Sequence, residues 1–243
     1  MKKKNKKVNA AILIIGNEIL SGRTQDKNIA FISNWLNSKC GISVNEVRII
    51  PDVKETIIEC VNEMRNKYTF VFTSGGIGPT HDDITSECIA SAFGVNLPIN
   101  IEAKKLLENY YKLQNIKLNN ARLRMARIPT GSNLIKNPIS AAPGFQIENV
   151  FVLAGVPNIF KSMVENIIKK LGNENSIKSK TIKINKAEGE IAEKLSDIAS
   201  QFQTVSIGSY PFEKGESKGT RIVITHHDKK IIEKVRLLIK KLK

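Results

Sequence analysis

The chain has 243 residues, of which 41% are hydrophobic and 25% are charged, and its formal net charge is +15. This composition is typical of a soluble globular protein, and the length suits one average domain with a small second one. No apolar run approaches the roughly 18 residues that a membrane-spanning helix needs, so no membrane segment is predicted.

The cysteines and lysines indicate which compartment and which kind of partner the protein has. Cys40, Cys60 and Cys88 are odd in number and widely spaced, which favours reduced thiols in the cytoplasm over a zinc site or a disulfide framework. Most of the excess charge is lysine scattered along predicted helix surfaces. A solvated surface or an anionic small substrate explains this charge better than nucleic acid, which is not the expected partner.

The first half of the chain alternates predicted strands and helices. After a basic tail at residues 1–8, the apolar run 11–15 predicts a strand covered on both faces, and it ends in the loop GNEILSG at 16–22. The run is too short for a secretory signal. The next predicted elements are a helix at 26–38, a strand at 42–50 and a helix at 54–66. This alternation predicts a right-handed α/β fold with a mostly parallel sheet.

Residues 68–85, with the sequence YTFVFTSGGIGPTHDDIT, join a strand to a helix through a glycine-rich loop. Because glycine lacks a Cβ, Gly75, Gly76 and Gly78 could turn their N–H groups toward a phosphate. Asp82 and Asp83 stand where a divalent cation could bridge them to phosphate oxygens. The residues alone fit equally well a plain turn in which one of these aspartates caps the following helix.

The remainder of this domain contributes two more loops. Its predicted elements are helices at 84–93 and 101–111, strands at 133–135, 145–147 and 151–153, and a helix from Pro157 to about residue 171. Arg122, Arg124 and Arg127 share one short segment, for which a solvated helix face is preferred to a phosphate clamp. Ligands of open α/β sheets bind beyond the carboxyl ends of the strands. GNEILSG, the glycine-rich loop and AGVP (154–157) should therefore share one pocket, with SAAPGF (140–145) nearby.

A linker is predicted at 173–179, where hydrophobic periodicity is lost. Residues 180–243 then predict a small α+β domain. Its predicted elements are strands at 181–184, 205–207 and 221–225, a helix around Leu195, a turn through Gly215 and Gly219, and a final helix to residue 242. No catalytic constellation is evident in this part of the sequence.

The segment GGIGPTHDDIT resembles the GGxGPTxDDxT signature of the MoaB/Mog molybdopterin-binding domain, in the branch of competence/damage-inducible protein A (CinA). GNEILSG with Asn28 is similar to the family's opening IGxELLxG…N, AAPGF to its APGF loop, and AGVP to its PGVP, with Ala154 as a mild departure. The resemblance implies a three-layer MoaB/Mog-like α/β domain at 9–172 and a small KH-like α+β domain at 180–243. Nothing in the chain corresponds to the nicotinamide-nucleotide amidase domain of full-length CinA proteins, so that activity is not expected.

The same resemblance implies a divalent-metal-dependent pyrophosphohydrolase of ADP-ribose-like or FAD-like dinucleotides. Asp82 and Asp83 would be the catalytic residues and would hold magnesium, manganese or cobalt. The implied substrate- and phosphate-binding residues are Ser74, Gly75, Gly76, Gly78, Thr85, Gly16, Glu18, Asn28, Pro143, Gly144 and Gly155. Glu18 fits a helix cap as well as a ligand. Related domains form symmetric oligomers, so we also expect a homo-oligomer.

Two other functions stay open. The same pocket, with Asp83 and magnesium, could bind or adenylylate molybdopterin in molybdenum-cofactor synthesis. A nucleic-acid-binding protein is the third hypothesis and the weakest. A KH module clamps RNA with a GXXG loop, and the glycines of KGESKG at 214–219 have the wrong spacing for one.

Overall fold

The computed structural model describes residues 8–167, 171, 178–214 and 217–242. The chain divides into two compact units, the first of which consists mainly of residues up to 172. Residues 1–7 of the predicted tail and 173–177 of the predicted linker lie outside the described part, whereas Lys178 and Ser179 open a strand. Within the described residues, no helix combines the length and the apolar character that crossing a membrane requires.

A six-stranded sheet organises the first unit. Its strands are β1 (Asn9–Ile15), β2 (Ser43–Ile50), β3 (Phe70–Ser74), β4 (Asn133–Ile135), β5 (Gly144–Ile147) and β6 (Val150–Leu153). They lie in the order β2-β1-β3-β6-β5-β4, with the first four parallel and the last two pairings antiparallel. The antiparallel end follows from the connection between β5 and β6, which is a hairpin and too short for a crossover. The prediction of a mostly parallel α/β sheet is confirmed.

Helices cover both faces of this sheet. They are α1 (Asn17–Leu20), α2 (Asn28–Trp35), α3 (Lys54–Lys67), α4 (Thr85–Phe93), α5 (Ile101–Leu113), α6 (Asn120–Leu123) and α7 (Pro157–Asn166), with a 3-10 turn at Arg124–Ala126. Side chains alternate along β1, so Leu13 and Ile15 join a core built with α3, α4 and α5. The buried Ile12 and Ile14 point to the opposite face, on the side where α2 packs against α7. The domain therefore has three layers.

Some predicted helix boundaries differ from the observed ones. The helix predicted at 26–38 is α2 at Asn28–Trp35, followed by a π-helical turn at Leu36–Cys40. Gly41 follows the last helical residue and has a φ of 68°, which glycine adopts without strain and which ends the helix. The helix predicted from Pro157 to about residue 171 is observed as α7 up to Asn166, and residues 168–170 lie outside the described part.

The second unit is a small α+β fold. Its elements are β7 (Lys178–Ile184), α8 (Glu188–Gln201), β8 (Ser206–Lys214), β9 (Ser217–His226) and α9 (Lys229–Lys240). The antiparallel sheet has the order β7-β9-β8, and α8 and α9 share one apolar core with it. The turn predicted at Gly219 is wrong, because Gly219 lies within β9 opposite Phe212. A Cβ at this position would collide with the carbonyl oxygen of Ile184, so the glycine marks a close backbone approach. Gly215 lies outside the described residues.

Candidate functional site

Three predicted loops meet at one edge of the first unit's sheet. In the strand register, Ile14 of β1 lies beside Ser74 of β3, and Ser74 lies beside Leu153 of β6. The strands are parallel, so the loops that follow them leave the sheet side by side. The loops also touch, because the N–H of Gly75 donates to the carbonyl oxygen of Leu153 at 3.2 Å. A Cβ added to Gly155 would lie 3.3 Å from the Cα of Gly75.

Residues 75–79, called the glycine loop below, require glycine at their first two positions. Gly75 and Gly76 have φ values of 109° and 69°, which side chains rarely allow. A Cβ would also collide with the carbonyl oxygen of Ile15 at the first position and with the hydroxyl of Thr85 at the second. Thr85 is fully buried and holds the loop, since its hydroxyl donates to the Gly75 carbonyl at 3.0 Å and its N–H to the Gly76 carbonyl at 2.9 Å.

The glycine loop presents unpaired donors. In the described part of the chain, the backbone N–H groups of Gly76, Ile77 and Gly78 have no hydrogen-bond acceptor. Successive unpaired N–H groups in a glycine-rich turn form a concave binding site for an anion. A strand-to-helix turn that only reverses the chain does not need this arrangement. The geometry is therefore suited to binding phosphate oxygens.

Asp83 faces this loop, and Asp82 does not. The Oδ2 atom of Asp83 accepts hydrogen bonds from the hydroxyl of Thr80 and from its N–H, the latter at 2.9 Å. A Cβ on Gly78 would come within 2.5 Å of that oxygen, so the missing side chain makes room for the carboxylate. The side chain of Asp82 is 65% exposed. Neither aspartate caps α4, whose N-cap residue Ile84 has no side-chain hydrogen bond.

A cleft of about 520 Å³ contains the glycine loop and Asp83. Its lining residues are Glu18, Thr24, Gly75, Gly76, Ile77, Gly78, Pro79, Asp83, Tyr111, Met125, Asn137, Ser140, Ala142, Ala154, Gly155, Val156, Pro157 and Ile159. Glu18 and Asp83 are the carboxylates among them. Gly16 makes room for the Glu18 carboxylate, because a Cβ at position 16 would lie 2.6 Å from Oε2 of Glu18. Glu18 does not cap α1, whose N-cap is Gly16, and within the described residues its carboxylate has no partner.

Asn28 and Ser74 lie beneath the cleft and connect its loops. Asn28 is 97% buried, and its amide donates to the hydroxyl of Ser74 at 2.9 Å and to the carbonyl oxygen of Gly155 at 2.7 Å. The Ser74 hydroxyl in turn donates to the carbonyl oxygen of Ala154 at 3.4 Å. Both residues therefore hold the ends of β3 and β6 together, while Oδ1 of Asn28 is buried without a partner in the described part.

The SAAPGF loop forms part of the cleft wall. Ser140 and Ala142 line the cleft, whereas Pro143 and Gly144 are buried behind it. Gly144 belongs to β5, and a Cβ there would collide with the carbonyl oxygen of Val152. Asn137 shapes this loop, since its amide donates to the Ser140 hydroxyl and the Ala142 carbonyl at 2.6 and 2.9 Å. Sequence reasoning missed Asn137, although its Asn-Pro dipeptide is a turn signal.

Two residues of the arginine-rich segment form ion pairs. Arg127 and Arg124 both form ion pairs with Glu87, and Nη2 of Arg124 lies 3.9 Å from Oε1 of Glu87. Both arginines also line a small recess together with Gly78 and Asp83. The guanidinium of Arg122 instead lies 4.9 Å from the ring centroid of Tyr111. Arg124 and Arg127 therefore pair with Glu87 while about one third of each side chain stays exposed, and the recess that they line also contains Asp83.

This fold and cleft define an α/β domain with a small-molecule cleft at the ends of its parallel strands, and comparisons with known proteins identify its family. A family model described as "Probable molybdopterin binding domain" matches residues 11–173, and one described as "FAD synthase, middle domain" matches residues 176–242. A protein of Archaeoglobus fulgidus is 35% identical over 200 residues, 82% of this chain and 84% of its own. A protein of Pyrococcus abyssi is 34% identical over 239 residues, 93% of each chain.

The chain belongs to the molybdopterin-binding-domain family, in its CinA-like branch. The crystal structure of a CinA protein "with unknown function" from Thermoplasma acidophilum is 34% identical and superposes with a TM-score of 0.62, covering 67% of this chain and 98% of that one. Membership in this family makes a pterin or a nucleotide the general class of ligand for the cleft.

Proposed function

We propose that the protein is a divalent-metal-dependent pyrophosphohydrolase of an ADP-ribose-like or FAD-like dinucleotide. One observation carries this proposal: three unpaired backbone N–H groups and the carboxylate of Asp83 line the same cleft. The donors suit the oxygens of a pyrophosphate, and the carboxylate suits a cation or a water beside it. A site for an uncharged ligand would need neither group.

The remaining walls of the cleft suit the other parts of a dinucleotide. Tyr111, Met125 and Ile159 provide apolar and aromatic surface for a planar ring. The cleft volume of about 520 Å³ lies within the usual range for small-molecule sites. A flavin nucleotide is one candidate, supported by the match of residues 176–242 to a FAD synthase middle domain.

The proposed divalent cation would be held by the carboxylates that line this cleft. Magnesium binds through one or two carboxylates, substrate phosphates and several waters. Asp83 and Glu18 supply two such carboxylates. Thr80 donates to Oδ2 of Asp83, and within the described residues Oδ1 has no partner. Magnesium, manganese or cobalt held by these residues would polarise phosphoryl oxygens and acidify a bound water.

The chain's own residues bind and orient the substrate. The N–H groups of Gly76, Ile77 and Gly78 would donate to phosphoryl oxygens and stabilise charge that builds up during hydrolysis. Thr80 holds the carboxylate of Asp83 in one orientation, which limits its motion during the reaction. Arg124 and Arg127 add positive charge in a recess that Asp83 also lines, although Glu87 neutralises part of it.

The test is metal-dependent hydrolysis of ADP-ribose, FAD and NAD, followed by phosphatase-coupled phosphate release from the products. Asp83→Asn keeps the size of the side chain but removes its charge, so turnover should fall by about 100-fold or more. Asp82→Asn is the matched control, because Asp82 is largely exposed outside the lining of the cleft, and it should keep activity within about 10-fold. Full turnover in Asp83→Asn would disprove the assignment.

A second candidate is molybdopterin binding or adenylylation, favoured by the family model that matches residues 11–173. It would use the same cleft, with Asp83 and magnesium at the phosphate. The same preparation separates the two functions. No hydrolysis of any of the three dinucleotides, together with saturable binding of molybdopterin that Asp83→Asn weakens, would support the second candidate over the first.

A further inference from the structure

Among the described residues, the sheet of the second unit has one face that no helix of that unit covers. Residues of β7 and β9 alternate between two sides, and the buried Ile182, Ile184, Ile222 and Ile224 point toward α8 and α9. The positions between them point outward and are exposed or only partly buried. The described residues at these positions are Ser179, Thr181, Lys183, Ser206, Gly208, Tyr210, Phe212, Gly219, Arg221, Val223 and Thr225, called the outer face below.

The outer face carries cations without carboxylates. Lys183 and Arg221 are directly opposite each other on β7 and β9, an arrangement in which like charges repel. Neither has a carboxylate partner in the described part of the chain, and no residue of the outer face is acidic. A bound anion would relieve this repulsion, so the charge of the face is complementary to a polyanion.

Aromatic rings lie beside these cations. Tyr210 of β8 is opposite Arg221 of β9, and Tyr210 is 56% exposed. The ring lies over Gly208, where a Cβ would come within 2.9 Å of the Tyr210 hydroxyl oxygen. Phe212 follows on the same face, with the Lys183 ammonium 5.5 Å from its ring centroid. The outer face therefore places one exposed ring, Tyr210, and one partly buried ring, Phe212, beside the two cations.

We infer that the outer face binds single-stranded RNA. Sheets that read single strands stack bases on exposed aromatic rings and contact the backbone with basic side chains, and this mode needs no GXXG loop. Tyr210 and Phe212 supply the rings, and Lys183 and Arg221 supply the phosphate contacts. The hydroxyls of Thr181, Ser206 and Thr225 lie on the same face, where they can pair with the 2′-hydroxyl that distinguishes RNA from DNA.

The test is fluorescence anisotropy of the full chain with a labelled, unstructured RNA of about 12 nucleotides at about 50 mM salt. Tyr210→Ala should weaken binding by about 10-fold, and Tyr210→Phe, which keeps the ring, should not. The pair Lys183→Ala with Arg221→Ala should weaken binding by about 10-fold and reduce the slope of log K against log salt by about 1. All of these positions are on the surface, and circular dichroism would verify the fold of each variant.

The matched control removes equal charge from the helical side of the same unit. Lys230→Ala with Lys234→Ala on α9 should change RNA affinity by less than about 3-fold. Lysines of the N-terminal tail are present in every variant, so they cannot produce a difference between the two pairs. Three outcomes would overturn the inference: no binding at low salt, an equal loss in the control pair, or competition by a polyglutamate peptide. Equal or tighter binding of DNA of the same sequence would overturn the assignment to RNA.

Discussion

Asn28 joins two loops of the cleft through a single side chain. Its amide donates to Ser74 and to the Gly155 carbonyl from a position that is almost fully buried. Asn28→Ala should lower the free energy of unfolding by about 1–3 kcal/mol, because the Gly155 carbonyl loses a buried donor. Urea denaturation measures this. Asn66→Ala is the control, since it removes an exposed amide bond to the Asn62 carbonyl and should cost no more than about 0.5 kcal/mol. Equal losses in both variants would show that Asn28 does not connect the loops.

The sequence predicts a residue of the cleft only where that residue belongs to a recognisable local motif. Gly75, Gly76 and Asp83 follow an apolar strand in a recognisable order, so their place at a strand end can be predicted. Tyr111 and Met125 reach the cleft from α5 and the 3-10 turn, and their position depends on how these elements pack. No spacing in the sequence relates them to the glycine loop. Pro143 and Gly144 show the opposite case. They belong to a distinctive motif, but they are buried and do not line the cleft.

Strand β2 and helix α3 are joined by a network of charges around Glu46. The Tyr68 hydroxyl, the Lys67 ammonium and the Arg48 guanidinium all donate to its carboxylate and lower its pKa to about 2. Arg48 also forms a bidentate ion pair with Glu63 of α3, in which Nη1 and Nη2 each donate to a carboxylate oxygen at 2.6 Å. The network links the edge strand of the sheet to the helix that covers it.

This network makes stability depend on pH. A glutamate in the unfolded chain titrates near 4.5, so the lowered pKa of folded Glu46 stabilises the protein above that pH. The stabilisation should be lost progressively as the pH falls from about 4.5 to about 2. Glu46→Gln should cost about 1–2 kcal/mol at neutral pH, after allowance for solvent screening, and much less near pH 3. Urea unfolding at both pH values tests this, with the exposed Glu59→Gln as control; a cost for Glu46→Gln that does not change with pH would contradict it.

At the level of elements, the sequence predicts strands and helices better than their ends. The apolar runs of β1, β3 and β6 are unambiguous because both of their faces are buried. The π-helical turn at Leu36–Cys40 could not be predicted, since it keeps the apolar spacing of a helix with different hydrogen bonds. The sequence wrongly predicts a turn at Gly219, because a glycine has the same sequence signal whether it allows a turn or a close approach of two strands.

Within the described residues, each unit has an apolar core that is formed by its own elements. The core around Leu13, Ile57 and Val152 draws only on elements of the first unit. The core around Ile184, Ile222 and Val235 draws only on β7 to α9. The second unit has about the minimum size at which a single core is sufficient for folding, so it should be the less stable one. Two separate cores favour two unfolding transitions over one.

The single tryptophan of the chain allows this to be tested. Trp35 is buried in α2 of the first unit, so its fluorescence follows that unit alone, whereas far-ultraviolet circular dichroism follows both. Ile222→Ala leaves a cavity in the second core and should lower its stability by about 2–5 kcal/mol, shifting part of the dichroism transition while the fluorescence transition stays in place. Ile57→Ala, of equal volume change in the first core, should shift the fluorescence transition instead. If Ile222→Ala moves both signals together, the two cores unfold as one cooperative unit and the division into independent domains is wrong.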